Sequence, residues 1–399
     1  MKRKRVIIIG QGYSGRLSIV RSVAVLGCDI TLIAIVPNAD HPQKPLDAYS
    51  RYVSRCFFCR NHDEKALVDL LLNKCKGERE DEKAVIIPDN DFAASVVDRY
   101  LKEIEPFFHC PHIEHLPGEV SRWMDKVQQK RLAREVGLQV ANSVMIDLAQ
   151  IDTETLALIS YPCFVKPLMS SDCGKVGIGR CDNQNELESH LDLMRKAGTS
   201  RALVEEYKDI EREYATLGFS DGNHVFIPGL LQLLRIAHGS HTGVAIQGKA
   251  FPITGNENLV EKFEAFIKRT GFVGIFDIDY YTSGGVYYFG ELNLRFGGSG
   301  YVFTRMGANL PAIFVNYCYG DDYNMYMRMI ETESIYVNER MALDDWSRGY
   351  LTMDEMTRIS RCADVHFVKD PDDKVPYRMF YITLLKLRLN KSIHRWLRI

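Results

Sequence analysis

Short apolar runs alternate with helix-like stretches along the first third of the chain. Val6 to Ile9 forms the first run, a glycine cluster and a helical segment follow it, and Thr31 to Val36 forms the second run. Residues 63–76 then have a helical pattern, and 84–87 form another buried-strand run. Strands that alternate with helices in this way build a parallel sheet. The pattern therefore predicts an N-terminal β-α-β domain over residues 1–124.

The pattern changes after residue 125. Residues 125–136 have a helical pattern, and a strand over 163–167 leads into a polar, glycine-containing loop over 170–179. Further strands are predicted over 202–205, 214–219 and 225–234, a helix over 257–270, and a hairpin of 273–281 with 286–293. Residues beyond about 320 lose this regularity and end in a basic segment.

Composition limits the class of protein. A chain of 399 residues with 46% hydrophobic and 26% charged residues is globular and too long for one ordinary core. The first apolar run stops at Ile9, too early for a signal peptide, and no stretch of roughly 18 apolar residues could span a bilayer. We therefore expect a cytoplasmic protein with reduced cysteines. The 50 basic and 52 acidic residues nearly balance, so the chain has no overall positive field that would favour the binding of nucleic acid.

Two motifs near the N-terminus are weak by themselves. The cluster Gly10-Gln11-Gly12-Tyr13-Ser14-Gly15 resembles a dinucleotide-binding turn, but the second strand ends at Pro37-Asn38 without the acidic residue that holds a ribose. We interpret the cluster as a tight turn that packs a helix on a strand. Cys56 and Cys59 have the spacing of half a zinc site, yet residues three apart on a strand face opposite sides. They are interpreted as buried or half-buried thiols.

The densest group of polar residues lies on the predicted hairpin. Glu291, Asn293 and Arg295 alternate on its second strand, and Asp277 and Asp279 alternate on its first. A period of two places each set on one face of its strand. Hard oxygen ligands on a rigid hairpin suit Mg²⁺, which completes its shell with phosphate oxygens and water. The hairpin is therefore a candidate magnesium site.

A candidate phosphate site precedes the hairpin in the sequence. Lys166 ends an apolar strand directly before the loop 170–179, and a lysine beside free loop amides can hold phosphate. An acidic segment, Glu205-Glu206-Tyr207, and Glu213 at the start of another strand come next. The order of lysine, glycine loop, acidic segment, acidic strand and D…E-x-N hairpin is highly specific.

This order resembles the ATP-grasp superfamily over roughly residues 5–320. Glu291 to Pro311 is most similar to the D-aspartate ligase and amino-acid ligase branch of the carboxylate–amine ligases. The resemblance implies an α/β and α+β architecture. Its parts would be a Rossmann-like pre-ATP-grasp domain (1–124), a small lobe with the phosphate loop (125–206), a large lobe with the metal hairpin (207–320) and a C-terminal extension with a basic tail (321–399).

The resemblance also implies roles for individual residues. The metal ligands would be Asp277, Glu291 and Asn293, with Asp279 as an alternative to Asp277. The catalytic residues would be Lys166, Asp279 and Arg295, with Arg235 as an alternative to Arg295 in stabilising the oxyanion. The nucleotide would be bound by Lys126, Lys166, Ser170, Gly174, Lys175, Glu205, Glu206, Tyr207, Lys208 and Glu213. The implied cofactors are ATP and two Mg²⁺ ions, which Mn²⁺ could replace.

The function implied by the resemblance is ATP-dependent amide formation. A small carboxylate, expected to be an amino acid, would be activated as an acyl phosphate and attacked by an amine, with release of ADP and phosphate. His238, His241 and the phosphate itself are alternatives to Asp279 for accepting the proton of the amine. Three other functions stay open: activation of bicarbonate as carboxyphosphate, as in carboxylases, an NAD(P)-dependent oxidoreductase that uses the first glycine cluster, and a non-catalytic nucleotide-binding or scaffold protein. A homo-oligomer is compatible with each of them.

The C-terminal tail is the basic part of the chain. Residues 378–399 contain six lysine or arginine residues and no acidic one. On a helix, Leu385, Leu389, Ile393 and Trp396 would form an apolar stripe. The stripe predicts docking on the protein's own body or on a second subunit, and the basic residues leave an anionic membrane surface as the alternative.

Overall fold

The N-terminal domain is a parallel sheet covered by helices on both faces. The computed structural model describes residues 3–11, 14–40, 42–77, 82–168, 176–238 and 244–396. The five strands have the order β3-β2-β1-β4-β5 and all pair in parallel. The elements are β1 (Arg5–Gln11), α1 (Ser14–Ala24), β2 (Asp29–Val36), β3 (Val53–Arg60), α2 (Glu64–Leu70), β4 (Ala84–Pro88), α3 (Asp91–Arg99), α4 (Leu101–Ile104) and β5 (Phe108–His109).

The apolar run of β1 is continuous because helices cover both faces of the sheet. Val6 and Ile8 belong to the core that includes α1, whereas Ile7 and Ile9 belong to the core that includes α2 and α3. A strand buried on both faces needs apolar residues at every position. The core on the α1 side also contains Phe303 of the later part of the chain, so this domain packs firmly on its neighbour.

A four-stranded antiparallel sheet forms the next unit, in the order β7-β10-β8-β9. Its elements, with the short helix that precedes them, are α5 (Glu119–Arg122), α6 (Lys126–Glu135), β7 (Ser143–Asp147), α7 (Thr153–Ala157), β8 (Cys163–Pro167), β9 (Gly179–Cys181), α8 (Gln184–Lys196) and β10 (Arg201–Glu206). Leu187, Leu191 and Met194 of α8 pack on the sheet because their spacing places them on one helical face. Asp125 caps α6 by accepting hydrogen bonds from the amides of Val127 and Gln128.

A nine-stranded sheet forms the third unit. Its main order is β16-β15-β11-β13-β14-β17-β18, with β12 paired to β11 and β6 to β15. The strands are β6 (His112–Ile113), β11 (Arg212–Asp221), β12 (Val225–Phe226), β13 (Leu230–Ile236), β14 (Ala245–Phe251), β15 (Phe272–Ser283), β16 (Val286–Asn293), β17 (Ser334–Val337) and β18 (Val365–His366). The helices are α9 (Glu257–Thr270), α10 (Tyr301–Arg305), α11 (Leu310–Tyr319), α12 (Glu339–Arg348), α13 (Met353–Arg361) and α14 (Lys374–Trp396).

The α/β and α+β class predicted from the sequence is confirmed, with two local corrections. The strand expected over 225–234 is interrupted between β12 and β13, where Pro228 has no amide hydrogen to donate to a ladder. The segment beyond 320 is also more regular than expected, since β17 pairs with β14 and so continues the nine-stranded sheet. The domain boundary at residue 320 stays a prediction.

The tail helix α14 docks on the body through a different stripe from the one predicted. Phe380 is buried, and Tyr377, Leu384 and Leu387 pack on the same apolar core. Leu385, expected in the docking stripe, is 41% exposed, so that stripe is wrong at this position. The docking face follows the i, i+3, i+7 spacing from Tyr377, which the isolated sequence of the tail could not select. The side chains of Leu389, Ile393 and Trp396 lie outside the described ones. Among the described helices, none has both the length and the apolar character needed to cross a membrane.

Arg21 of α1 joins the N-terminal domain to the segment before α14. Its guanidinium lies 3.1 Å from Asp373 Oδ2 and donates to the carbonyl oxygens of Phe367 at 2.8 Å and Val368 at 2.9 Å. The side chains of Arg21 and Asp373 are 3% and 0% exposed. A buried ion pair of this kind is tolerated because the charged atoms have partners.

We expect Arg21→Ala to lower the free energy of unfolding by about 3–5 kcal/mol, because Asp373 would keep a buried charge without its cation. Urea denaturation followed by circular dichroism measures this change. The control is Arg122→Ala, which removes the ion pair between Arg122 and Glu119. The side chain of Arg122 is 58% exposed, so we expect the free energy of unfolding to fall by less than about 1 kcal/mol. Equal losses in the two variants would contradict the role of Arg21.

Candidate active site

The hairpin of β15 and β16 brings the predicted metal ligands together. Asp277 lies opposite Asn293, and Asp279 lies opposite Glu291. Directly opposed residues of an antiparallel pair share one face, so the four side chains form one patch. Asn293 Nδ2 donates to Asp279 Oδ2 at 3.2 Å, and Arg295 Nη1 donates to Asp277 Oδ2 at 3.0 Å.

The opposite face of the hairpin holds the patch in place. Ile278, Leu292 and Leu294 are buried there in the core that includes α9. The register shifts beside Asp279, because Gly290 is an extra residue in β16 and forms a bulge. Beyond the bulge, Gly284 and Gly285 close the hairpin with φ angles of 58° and 73°, the left-handed values that a two-residue turn requires.

The electrostatics of this patch fit a divalent cation. Burial raises the pKa of Asp277 to about 6 in spite of Arg295, and burial together with Asp277 and Glu291 raises the pKa of Asp279 well above its usual value. Asp277 Oδ1 is buried and accepts no hydrogen bond from any residue that the structure describes. A cation bound here would satisfy that oxygen and offset the repulsion between the carboxylates.

The patch is an open site rather than a closed metal cage. No three histidine, cysteine or carboxylate side chains in the described part of the chain converge as a preformed metal-binding group. Glu291 Oε1 instead lies 3.1 Å from Lys126 Nζ. Mg²⁺ usually takes only one or two carboxylates and fills its shell with phosphate oxygens and water, so an open patch suits it.

A second polar cluster surrounds Glu205 on β10. Glu205 Oε1 lies 2.5 Å from Lys130 Nζ and 3.0 Å from Lys166 Nζ. Lys166 and Lys130 lower the pKa of Glu205 against the effect of burial, and burial lowers the pKa of Lys130 to about 8. Two cationic side chains are thus held side by side at the root of the predicted phosphate loop. Ser170, Gly174 and Lys175 lie outside the described residues.

The sequence analysis missed Lys130. This lysine is 3% exposed and lies one helical turn after Lys126 on α6, so both lysines point to the same side of the helix. Lys130 also donates to the carbonyl oxygen of Ala141 at 3.0 Å. The four-residue spacing from Lys126 was the signal that could have identified it.

The predicted nucleotide hinge connects the second and third sheets. Glu206 Oε1 accepts a hydrogen bond from the amide of Asn142 at 3.1 Å and lies 3.0 Å from Lys208 Nζ. The amide of Tyr207 donates to the carbonyl oxygen of Pro162 at 3.2 Å. Glu213 follows on β11, where it pairs with Tyr281 of β15. The residues assigned to adenine and ribose therefore lie where the chain passes from β10 to β11.

The N-terminal domain adds carboxylates that the sequence analysis did not assign to the site. Arg295 Nε donates to Asp91 Oδ1 at 3.1 Å, and the amide of Phe296 donates to the carbonyl oxygen of Pro88 at 3.2 Å. Burial raises the pKa of the neighbouring Asp89 to about 7. Asp89 and Asp91 follow the carboxyl end of β4, the edge at which sites form in parallel sheets. Their position after β4 was the feature of the sequence that could have identified Asp89 and Asp91 as site residues.

The first glycine cluster packs against Asp89. A Cβ atom on Gly10 would lie 1.2 Å from Asp89 Oδ1, and one on Gly15 would lie 3.0 Å from Asp89 Oδ2. The space beside these glycines is thus filled by the protein's own side chain, which agrees with a tight packing turn. Cys56 is half-buried and Cys59 is buried, as predicted, and both are free thiols.

Arg235 and His238, the alternatives to Arg295 and Asp279 that the structure describes, lie toward α12 and α13. Arg235 Nη2 lies 3.6 Å from Glu355 Oε1. The ring of His238 stacks on Tyr350 with 4.2 Å between the ring centroids, and its amide donates to Asp345. His241 lies outside the described residues. The roles of all these residues stay predictions.

Comparisons with known proteins identify the central region. Residues 131–311 match the model of the ATP-grasp domain, which confirms the resemblance predicted from the sequence. A D-alanine–D-alanine ligase from Streptococcus gordonii is 33% identical over 183 residues, which are 43% of this chain and 51% of that protein. The chain spans about a quarter to a half of the length of the D-alanine–D-alanine ligases it matches.

Solved structures show the same fold. An L-amino acid ligase from Bacillus licheniformis superimposes with a TM-score of 0.59 at 16% identity, over 84% of this chain and 80% of that one. A biotin carboxylase from Campylobacter jejuni gives a TM-score of 0.63 at 16% identity, over 84% of this chain and 75% of that one. A likeness over 84% of the chain extends beyond residues 131–311.

Proposed function

We propose that this chain is an ATP-dependent carboxylate–amine ligase that forms an amide through an acyl phosphate. The observation that carries the proposal is the hairpin patch, in which Asp277, Asp279, Glu291 and Asn293 share one face beside Arg295. Lys126 links this patch to α6, the helix that also carries Lys130 of the second cluster. The residues proposed to bind a metal, phosphate and a substrate carboxylate thus lie close together. The ligase relatives support the same reaction class.

The chemistry requires activation of the acid. A carboxylate does not react with an amine because oxide is too poor a leaving group. Transfer of the γ-phosphoryl group of ATP to a carboxylate oxygen gives an acyl phosphate and ADP. The amine then attacks the carbonyl carbon, loses a proton and expels phosphate. Catalysis of such steps consists mainly of positioning and charge neutralisation.

The residues of the site divide this work. Asp277, Glu291 and Asn293 would hold Mg²⁺, which would neutralise the charge of the β- and γ-phosphates. Lys126, Lys130 and Lys166 would offset the remaining phosphate charge. The residues predicted from the sequence to contact the nucleoside would hold the adenosine at the hinge: Glu205, Glu206, Tyr207, Lys208 and Glu213. Two metal ions, and replacement of Mg²⁺ by Mn²⁺, belong to this proposal.

Arg295 is suited to hold the substrate carboxylate. Its Nε and Nη1 atoms are used by Asp91, Asp277 and the carbonyl of Phe296, whereas Nη2 makes no hydrogen bond within the described residues. A guanidinium anchored on one edge can present its free donors to another carboxylate and later to the oxyanion. Asp279, opposite Glu291, is the proposed acceptor of the proton that the amine loses.

A screen of phosphate release tests the proposal. Amino acids and small carboxylates are combined in pairs with amines, ATP and Mg²⁺, and the products are identified by mass spectrometry. We expect ADP and phosphate to appear only when an acid and an amine are both present, with a product lighter by one water than its two parts. ADP release that depends on bicarbonate would instead support carboxyphosphate formation, the second candidate, which the likeness to biotin carboxylase favours. ATP consumption that requires neither an amine nor bicarbonate would contradict both candidate functions.

The proposal includes a partner for the exposed face of α14. Tyr381, Ile382 and Leu385 are 50%, 42% and 41% exposed, and Arg378 and Lys386 lie on the same helix. An apolar face beside lysine and arginine, with no acidic residue on the helix, matches an anionic membrane surface. A second copy of this helix would instead bring like charges together.

We expect the protein to co-sediment with vesicles containing phosphatidylserine at low salt and to be released at high salt, because each basic residue near such a surface adds about 1 kcal/mol that salt screens. The variant Ile382→Ser/Leu385→Ser should bind more weakly. Arg134→Ala, which removes a basic residue from α6, serves as the control. Absence of sedimentation at low salt would leave α14 only its docking role.

A further inference from the structure

A cleft of about 270 Å³ opens where α10, β18 and the start of α14 meet, and it shares no residue with the hairpin patch. Three cationic side chains line it: Arg305, the last residue of α10, Lys369, which follows β18, and Lys374, the first residue of α14. Val365, Pro371 and Tyr377 supply an apolar wall. The cleft therefore combines positive charge from three separate elements with a surface for an organic group.

No carboxylate in the described part of the chain pairs with Lys369 or Lys374. Within the described residues, neither Lys369 Nζ nor Lys374 Nζ makes an ion pair or a hydrogen bond, and both side chains are exposed. Helix α14 begins here at Lys374, directly after Asp372 and Asp373, and the charge of Asp373 is already paired with Arg21 of α1. An anion that entered the cleft would meet these groups without displacing an internal partner.

The acidic residues of the cleft are already engaged. Asp370 Oδ2 accepts a hydrogen bond from Tyr301 Oη at 2.8 Å and lies 3.7 Å from Arg305, and its Oδ1 accepts from the amide of Asp372 at 2.8 Å. Asp364 Oδ2 accepts from the amide of Ile335 at 2.9 Å. The histidine of the lining, His366, lies 3.0 Å from the buried Glu339. The cleft thus holds three cationic side chains against two carboxylates, and the two lysines are its cationic groups without an internal partner among the described residues.

We propose that this cleft binds a phosphate monoester that carries a small aromatic or apolar group. An ammonium group is a compact charge that binds phosphate oxygens well, and a phosphate dianion matches two unpaired lysines better than a single carboxylate does. The apolar wall then takes the organic group. Because Arg305 belongs to the large sheet unit and Lys374 to the tail helix, a bound phosphate also bridges these two parts of the protein.

Calorimetric titration with phenyl phosphate tests this assignment. The titration is made on the full chain with Mg²⁺ and a non-hydrolysable ATP analogue in excess, so that Lys130 and Lys166 are not available to the probe. The variant is Lys369→Ala/Lys374→Ala. The control is Arg378→Ala/Lys386→Ala, which removes two charges from α14 outside the cleft. All of the replaced residues are exposed, and thermal melting checks that each variant is folded.

We expect the same Kd for phenyl phosphate in the wild-type protein and the control, and at least a tenfold weaker Kd in the cleft variant. Inorganic phosphate should bind more weakly than phenyl phosphate, because it lacks the group that contacts Tyr377 and Pro371. Binding of phenyl phosphate should raise the melting temperature of the wild-type protein but not that of the cleft variant. No binding to the wild-type protein at millimolar concentration, or an unchanged Kd in the cleft variant, would overturn the proposal. The titration needs no turnover, so its result is independent of the proposed ligase activity.

Discussion

Replacement of Glu291 by glutamine is expected to lower ATP-dependent turnover by ~10²-fold or more, because it removes a metal ligand where charge develops on the transferring phosphoryl group. Glutamine has nearly the same size as glutamate, and Glu291 lies on a hairpin whose other face is firmly buried, so the fold should be retained. The variant also removes the negative charge that faces Lys126 Nζ at 3.1 Å. Both effects act on the positioning of the triphosphate.

The measurement is ADP release with the acid and amine found by the screen, together with a titration of the Mg²⁺ dependence. Glu211→Gln is the matched control: Glu211 is an exposed glutamate that accepts a hydrogen bond from the amide of Gly285 at the far end of the same hairpin. We expect this control to keep near wild-type rates. A Glu291→Gln variant that is equally active would contradict the metal assignment.

The second large effect is expected for Lys166→Ala, which should weaken ATP binding about tenfold or more. Charge-assisted hydrogen bonds contribute about 1.5–3 kcal/mol, and about 1.4 kcal/mol corresponds to a factor of ten in Kd. Lys166 is the penultimate residue of β8, beside the predicted phosphate loop, and lies 3.0 Å from Glu205. Its loss therefore also leaves Glu205 with Lys130 alone. The effect of Lys166→Ala on ATP affinity therefore has to be separated from any effect on folding.

Calorimetric titration with a non-hydrolysable ATP analogue measures this change, and thermal melting reports whether the variant is folded. Lys196→Ala, an exposed lysine in the last turn of α8, is the control within the same unit. Gly12→Ala in the N-terminal domain should keep the affinity within a few-fold. If Gly12→Ala weakened binding more than Lys166→Ala, the nucleotide would belong to the N-terminal domain.

Local patterns were sufficient where one strand or one helix determines its own structure. The hairpin was predictable because period-two alternation and two consecutive glycines specify opposed strands and a tight turn. The alternation fixed which face of each strand carries Asp277, Asp279, Glu291 and Asn293, and the structure pairs them across the hairpin. The apolar run of β1 likewise predicted a strand that is buried on both faces.

The sequence by itself thus determined the element types, the parallel N-terminal sheet and the order of polar motifs that resembles ATP-grasp proteins, because these depend on neighbours along the chain. Only the tertiary structure decided the contacts between distant segments. It placed Asp91 of α3 on Arg295, grouped Lys130 and Lys166 around Glu205, and selected the docking face of α14. The physical reason is that such contacts depend on how whole faces of sheets and helices pack together. Spacing along the chain records which residues share a face, but not which other face they meet.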